Sequence, residues 1–147
     1  ITNAQYSALR SASPTQAIRD AIRANHGTPR YDWVLPGNTS LSRLSPDHIV
    51  PLDVIAKMDG FGNITRAQQL EIANFAENFV GVTKRANFSR GNLAYFDWGG
   101  FRGGLSNGYA LPVEPLFRTE MSRIETIMGQ RIQAMIDSMS GVRGRIP

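Results

Sequence analysis

The chain has no cysteine and only two histidines among its 147 residues. Without cysteine there is no disulfide framework, no thiolate zinc site and no cysteine nucleophile. Long apolar runs are missing too. No stretch approaches the roughly 18 uninterrupted apolar residues a membrane-spanning helix needs, so no membrane partner is expected. The glycines gathered between Trp98 and Tyr109 are not followed by Gly-Lys-Ser/Thr, which excludes a phosphate cradle of the Walker kind. The first residues, Ile1-Thr2-Asn3, carry neither an initiating Met nor a basic-then-apolar signal pattern, and are read as the start of an excised or processed piece.

The residues present describe a globular domain. Hydrophobic residues make up 41% and charged residues 19% of the chain, and the length suits one domain with a core of its own. The net charge of +4 favours an anionic partner such as nucleic acid, although many solvated surfaces reach the same balance.

Local signals outline an α+β fold. Ser13-Pro14 reads as an N-cap followed by proline at the first helical position, with Ala17, Ile18, Ala21 and Ile22 on one face and a stop at Asn25-His26-Gly27. His26 is accounted for as a donor near a helix C-terminus. Residues 28–45 are loop-like, with Tyr31, Trp33 and Val34 as a candidate short strand and residues 41–49 extended. A helical turn or two is expected over Leu52 to Met58, closed by Asp59-Gly60. Thr65 and Gln68 form a capping box for a helix reaching about Asn74. Phe79 to Thr83 is a strand candidate, Lys84 to about Phe96 a short basic helix, and Trp98 to Tyr109 a loop. The longest helix is expected over Val113 to Met139, where Phe117, Met121, Ile124, Met128, Ile132, Met135 and Met139 recur at spacings of three and four. Packing of that stripe within the domain is preferred to a partner surface.

One histidine sits in a constrained context. Ser45-Pro46-Asp47-His48-Ile49-Val50-Pro51 places an imidazole beside a carboxylate between two prolines. After an insertion of about 29 residues come Glu77-Asn78-Phe79, a strand, and then Ala86-Asn87-Phe88-Ser89-Arg90-Gly91-Asn92 in the basic segment. Taken alone, each piece has a plain structural reading: Asp47 capping a turn, His48 a satisfied core histidine, Asn87 a helix cap.

In this order the three pieces resemble the HNH, or ββα-metal, endonuclease superfamily over about residues 45–98. The long insertion resembles the version found in nuclease toxin domains of bacterial polymorphic toxins. The resemblance implies a small ββα-metal core (two-stranded hairpin plus helix, about 41–98) embedded in a mostly helical single domain, flanked by an N-terminal helix (about 14–26) and a C-terminal helix (about 113–139).

It further implies one divalent ion, Mg²⁺ first, with Mn²⁺, Ni²⁺ or Zn²⁺ as alternatives. Asp47 and Asn87 would supply oxygen ligands, with Asn92 a competitor for the second position. His48 would be the general base, and Asn78 the amide that ties down the loop and orients it. Lys84, Arg85 and Arg90 flank the third motif and are candidate backbone-phosphate contacts; Arg66 and Arg102 are weaker ones. Phe88, Tyr95, Phe96 and Trp98 are assigned to core packing. The chain departs from many relatives in lacking the cysteines of a structural zinc site.

The expected activity is hydrolysis of phosphodiester bonds in DNA, before RNA. The expected setting is the toxin end of a secreted antibacterial effector that acts in a target cell's cytoplasm and is inhibited by an immunity protein. A restriction or repair nuclease is the first alternative, and a noncatalytic binding module on the same scaffold the second.

Overall fold

A computed structural model describes residues 1–26, 32, 34–35, 44–101 and 111–141. The fold is α+β. Helices α1 (Asn3–Ser11) and α2 (Gln16–His26) precede strand β1 (Ser45–His48). Helix α3 (Leu52–Ala56), a 3₁₀ turn (Phe61–Asn63), helix α4 (Arg66–Ala73) and a second 3₁₀ turn (Ala76–Asn78) fill the insertion before strand β2 (Phe79–Val82). Helix α5 (Lys84–Arg90) follows, then strands β3 (Gly100–Phe101) and β4 (Leu111–Pro112), and helix α6 (Pro115–Ser140) closes the described chain.

β1 and β2 pair antiparallel, with Asp47 opposite Val80 and His48 opposite Phe79. β3 and β4 form a second, two-residue ladder that no sequence signal announced. The expected stop of α2 at Gly27, the strand residues Tyr31 and Trp33, and residues 102–110 of the glycine-rich loop lie outside the described residues.

The capping chemistry explains most helix starts. At α4, Thr65 Oγ accepts from the Gln68 amide at 3.1 Å while the Gln68 side chain accepts from the Thr65 amide at 2.9 Å. The same box opens α1: Thr2 Oγ accepts from the Gln5 amide and Gln5 Oε1 from the Thr2 amide. α1 is an element beyond those expected, although Thr2 and Gln5 carry that signature. α2 starts at Gln16, two residues later than Ser13-Pro14 suggests. Ser13 is no cap: Thr15 Oγ faces the Ile18 amide at 3.4 Å, and the Ser13 hydroxyl is turned inward. At α5, Thr83 caps the Ala86 amide, and the helix ends at Gly91, whose φ of 55° suits a residue without Cβ. The helix expected to reach Phe96 is therefore shorter by a turn and a half.

Among the described residues two apolar clusters form the core, and α6 belongs to both. One gathers Leu9, Ile55, Phe61, Ile72, Ile132 and Ile136, all fully buried, from α1, α3, the first 3₁₀ turn, α4 and the second half of α6. The other gathers Val34, Leu35, Val82, Tyr95, Trp98 and Phe117 around the β1–β2 pair, α5 and the first half of α6. Of the α6 stripe, Phe117, Met121, Met128 and Ile132 are buried and Ile124, Met135 and Met139 are packed at the margins. Among the described residues no helix is long and apolar enough to cross a membrane.

Candidate functional site

β1 carries Asp47 and His48 as adjacent residues of an extended strand, so their side chains leave opposite faces. Asp47 turns toward Arg90 at the end of α5 and toward Tyr95. His48 turns toward the α1–α2 junction and the end of α4. A cavity of about 320 Å³ is lined by both, together with Asn87 and Asn92. That size lies at the lower end of small-molecule sites. Tyr6 and Arg10 from α1 line the same cavity.

The hydrogen bonds of His48 fix its tautomer. Nε2 lies 3.0 Å from the Ala73 carbonyl oxygen and 3.0 Å from Ser13 Oγ. The Ser13 hydroxyl donates to the Ala73 oxygen at 2.7 Å. A carbonyl can only accept, so Nε2 bears the proton, and the lone pair of the neutral ring stands on Nδ1. Nδ1 has no hydrogen-bond partner among the described residues. Burial lowers the imidazole pKa to about 4, with the Arg90 charge in the same direction and the Ala73 carbonyl opposing. The ring is thus neutral and able to accept a proton across ordinary pH. Its ring packs against Phe79 at a tilt of 48°, centroids 4.3 Å apart.

Asn78 is fully buried and clamps the chain two residues past His48. Its Oδ1 accepts from the Val50 amide at 2.9 Å, and its Nδ2 donates to the Val50 carbonyl at 3.1 Å. The Ile49 amide adds a bond to the Asn78 carbonyl at 2.7 Å. Asn78 is therefore placed to fix where β1 leaves the sheet. It is a positioning residue, with no face open to a substrate.

Asp47 is 6% exposed. One oxygen, Oδ2, accepts from Arg90 Nη1 at 2.9 Å and from the Tyr95 hydroxyl at 2.8 Å. The other, Oδ1, has no partner among the described residues. Arg90 also donates to the His48 and Ile49 carbonyls and, at 2.9 Å, to Glu125 on α6. Its guanidinium lies 3.7 Å from the centroid of the Tyr95 ring, and Glu125 accepts the Tyr95 amide as well. Burial pushes both the Asp47 and the Glu125 carboxyl above the usual carboxylate range, against the pull of Arg90. Two carboxylates around one guanidinium leave the ionised cluster with a formal charge of −1.

This arrangement corrects one site assignment. Arg90 is not a phosphate contact on the surface: it is 1% exposed, and its guanidinium is spent on two carboxylates and two carbonyls. The carboxylate partners lie 43 and 35 residues away in sequence, so nothing local revealed them. Lys84 is exposed and Arg85 half-buried on α5, and Arg66 is exposed on α4; Arg102 lies outside the described residues. The aromatic assignments divide. Tyr95 and Trp98 are core, but Phe88 is 85% and Phe96 72% exposed, because α5 turns the first outward and ends before the second.

Asn87 donates through Nδ2 to Ser45 Oγ at 3.2 Å and more weakly to the Pro46 carbonyl. Its amide nitrogen is thereby held against β1, leaving the oxygen as the end available to a cation. Asn92 lines the cavity from an exposed position just past α5. The donor set fits a hard divalent ion: an unpartnered carboxylate oxygen, an amide oxygen with its nitrogen tied back, and a cluster one negative charge in excess. Among the described residues no group of three or more His, Asp or Glu gathers as a ligand set, so water and substrate would complete the shell.

Comparisons with protein-family profiles, curated proteins and solved structures gave no match.

Proposed function

We propose that this chain is a metal-dependent endonuclease of the HNH type, hydrolysing phosphodiester bonds of DNA. The observation that carries the reading is the pairing at one cavity of a neutral imidazole, its Nδ1 bare, with an unpartnered Asp47 oxygen and Asn87. The order hairpin strand, paired strand, helix is the one the motif resemblance implies. When bound, a divalent ion would stabilise negative charge on the phosphate and the leaving oxygen. Asp47 and Asn87 would hold it.

The rest falls to the chain's own groups. His48 accepts a proton from water at Nδ1, while its Nε2–H stays hydrogen-bonded to the Ala73 carbonyl. That bond, with Ser13 beside it, keeps the ring aimed as charge develops. Asn78 holds the turn after β1 in place, and Arg90 and Tyr95 restrain the Asp47 carboxylate through its other oxygen. Lys84 offers a backbone-phosphate contact that reads no sequence.

The motif resemblance alone supports the remaining parts of the proposal: delivery as the toxin end of a secreted effector, action in the target-cell cytoplasm, and inhibition by a cognate immunity protein. Incubation of purified protein with supercoiled plasmid tests the activity. Nicking is expected with Mg²⁺ or Mn²⁺, none with a chelator, and a loss of roughly 10²–10⁴-fold for His48→Ala, the range of a general base. Undiminished nicking by His48→Ala would remove the base from the mechanism; Mg²⁺ binding with no cleavage of any nucleic acid would favour a noncatalytic module.

A further inference from the structure

We infer that Phe88 stacks on an unpaired nucleobase next to the scissile phosphate, so that the substrate at this site is single-stranded or locally unstacked nucleic acid. The inference rests on the nuclease reading above and adds to it the form of the strand. Three observations carry it. Phe88 is the most exposed of the large apolar side chains among the described residues, at 85%, yet it lines the same cavity as Asp47, His48 and Asn87. It follows Asn87 directly on α5, and both residues line that cavity. The surroundings carry charge suited to a polyanion: Lys84, also exposed, stands one helical turn before Phe88 on the same face, and Arg10 lines the cavity from α1.

A scattered exposed phenylalanine needs no explanation by itself. A phenyl ring at the edge of a cation-flanked cleft that also holds a carboxylate and an imidazole is different, because it offers a π-face and no hydrogen bond. Nucleobases supply the matching flat surface, and stacking on them tolerates any sequence. In a duplex those faces are already covered by neighbouring pairs, and the ring could engage only after a step is unstacked, at a cost of about a few kcal/mol. In a single strand the faces are open. Arg10 and Lys84 would then hold phosphates on either side of the stacked base, Arg10 from the α1 wall and Lys84 along α5.

The test uses a labelled oligonucleotide as a single strand, as a duplex, and as a single strand with one abasic site. With wild-type protein and Mn²⁺, kcat/KM should be higher on the single strand than on the duplex. Phe88→Ala should lower kcat/KM on the single strand by roughly five- to hundredfold, the worth of one base–aromatic stack, and Phe88→Trp should preserve it. The abasic strand should cost the wild type a similar factor and cost Phe88→Ala nothing more. Because the ring is outside the core, neither substitution should disturb folding, which a thermal melt verifies. Binding is read separately by fluorescence anisotropy of the labelled strand, so that a protein without cleavage activity still tests the stack. If the wild type binds the single strand five- to hundredfold more tightly than Phe88→Ala yet cleaves nothing, stacking stands and the nuclease reading falls. If cleavage occurs but Phe88→Ala matches the wild type in both binding and kcat/KM, the inference is overturned and the ring serves another contact, such as a protein partner.

Discussion

The two halves of the core are built on different principles, although α6 runs through both. Around Ile132 and Ile136 the packing is mainly apolar, helix against helix, and Gly60 lies so close that a Cβ there would come within 3.3 Å of Ile136. Around Tyr95 and Trp98 the packing encloses an ionic knot: Arg90, Asp47, Tyr95 and Glu125. The first half contributes stability by removing apolar surface from water. The second contributes less for the same volume, because desolvating the charges offsets much of their attraction. What the knot does is fix direction. It holds the carbonyls of His48 and Ile49 and one oxygen of Asp47, leaving the other oxygen without a partner among the described residues.

The comparison is broken most strongly at its charged centre. Arg90→Ala would leave two buried carboxylates without their cation, with an expected loss of about 3–5 kcal/mol in urea denaturation. Replacing Arg90, Asp47 and Glu125 together by apolar residues of similar size should recover most of that loss while abolishing cleavage. A triple variant as unstable as Arg90→Ala would show that the knot is a net stabiliser and that the two halves have been wrongly contrasted. In the apolar half, Ile132→Ala should cost about 3 kcal/mol through lost burial and a cavity. Cleavage per folded molecule should stay near the wild-type value, and a specific loss of activity would place α6 in the mechanism.

A smaller effect comes from His48. Its folded pKa of about 4 lies below the ordinary value near 6.5 of an unfolded chain. The unfolded state therefore binds the proton first, and stability from the desolvated neutral ring is complete above about pH 6.5 and lost as pH falls toward about 4. At most about 3 kcal/mol should disappear across that window. The raised Asp47 and Glu125 carboxyls act with the opposite sign, since a raised carboxyl favours the folded state at low pH. The difference between wild type and His48→Gln isolates the histidine. Parallel stability curves for the two proteins between pH 6.5 and 4 would contradict the desolvation of a neutral ring.

Legibility followed the range of the interactions. The cap at Thr65, the strand at Phe79, the α6 stripe and the Asp47-His48 pair were readable because each is specified within a few residues. α1 was readable in principle, since Thr2 and Gln5 repeat the Thr65 and Gln68 signature, but its weak apolar pattern hid it. With it went Tyr6 and Arg10, one wall of the cavity. Ser13-Pro14 looks like a helix start in sequence; its hydroxyl instead reaches His48 and Ala73, a contact across 60 residues for the latter. Arg90 was misread for the same reason. Basic residues in a basic segment suggest a surface, and only the folded chain shows two carboxylates waiting for one of them.

Titration of the protein with Mn²⁺ by calorimetry tests the central claim most directly. One ion per chain is predicted for the wild type, with binding lost or strongly weakened in both Asp47→Ala and Asn87→Ala and retained in His48→Ala, which should bind metal without cleaving. No binding by the wild type, or binding indifferent to both ligand substitutions, would contradict the account.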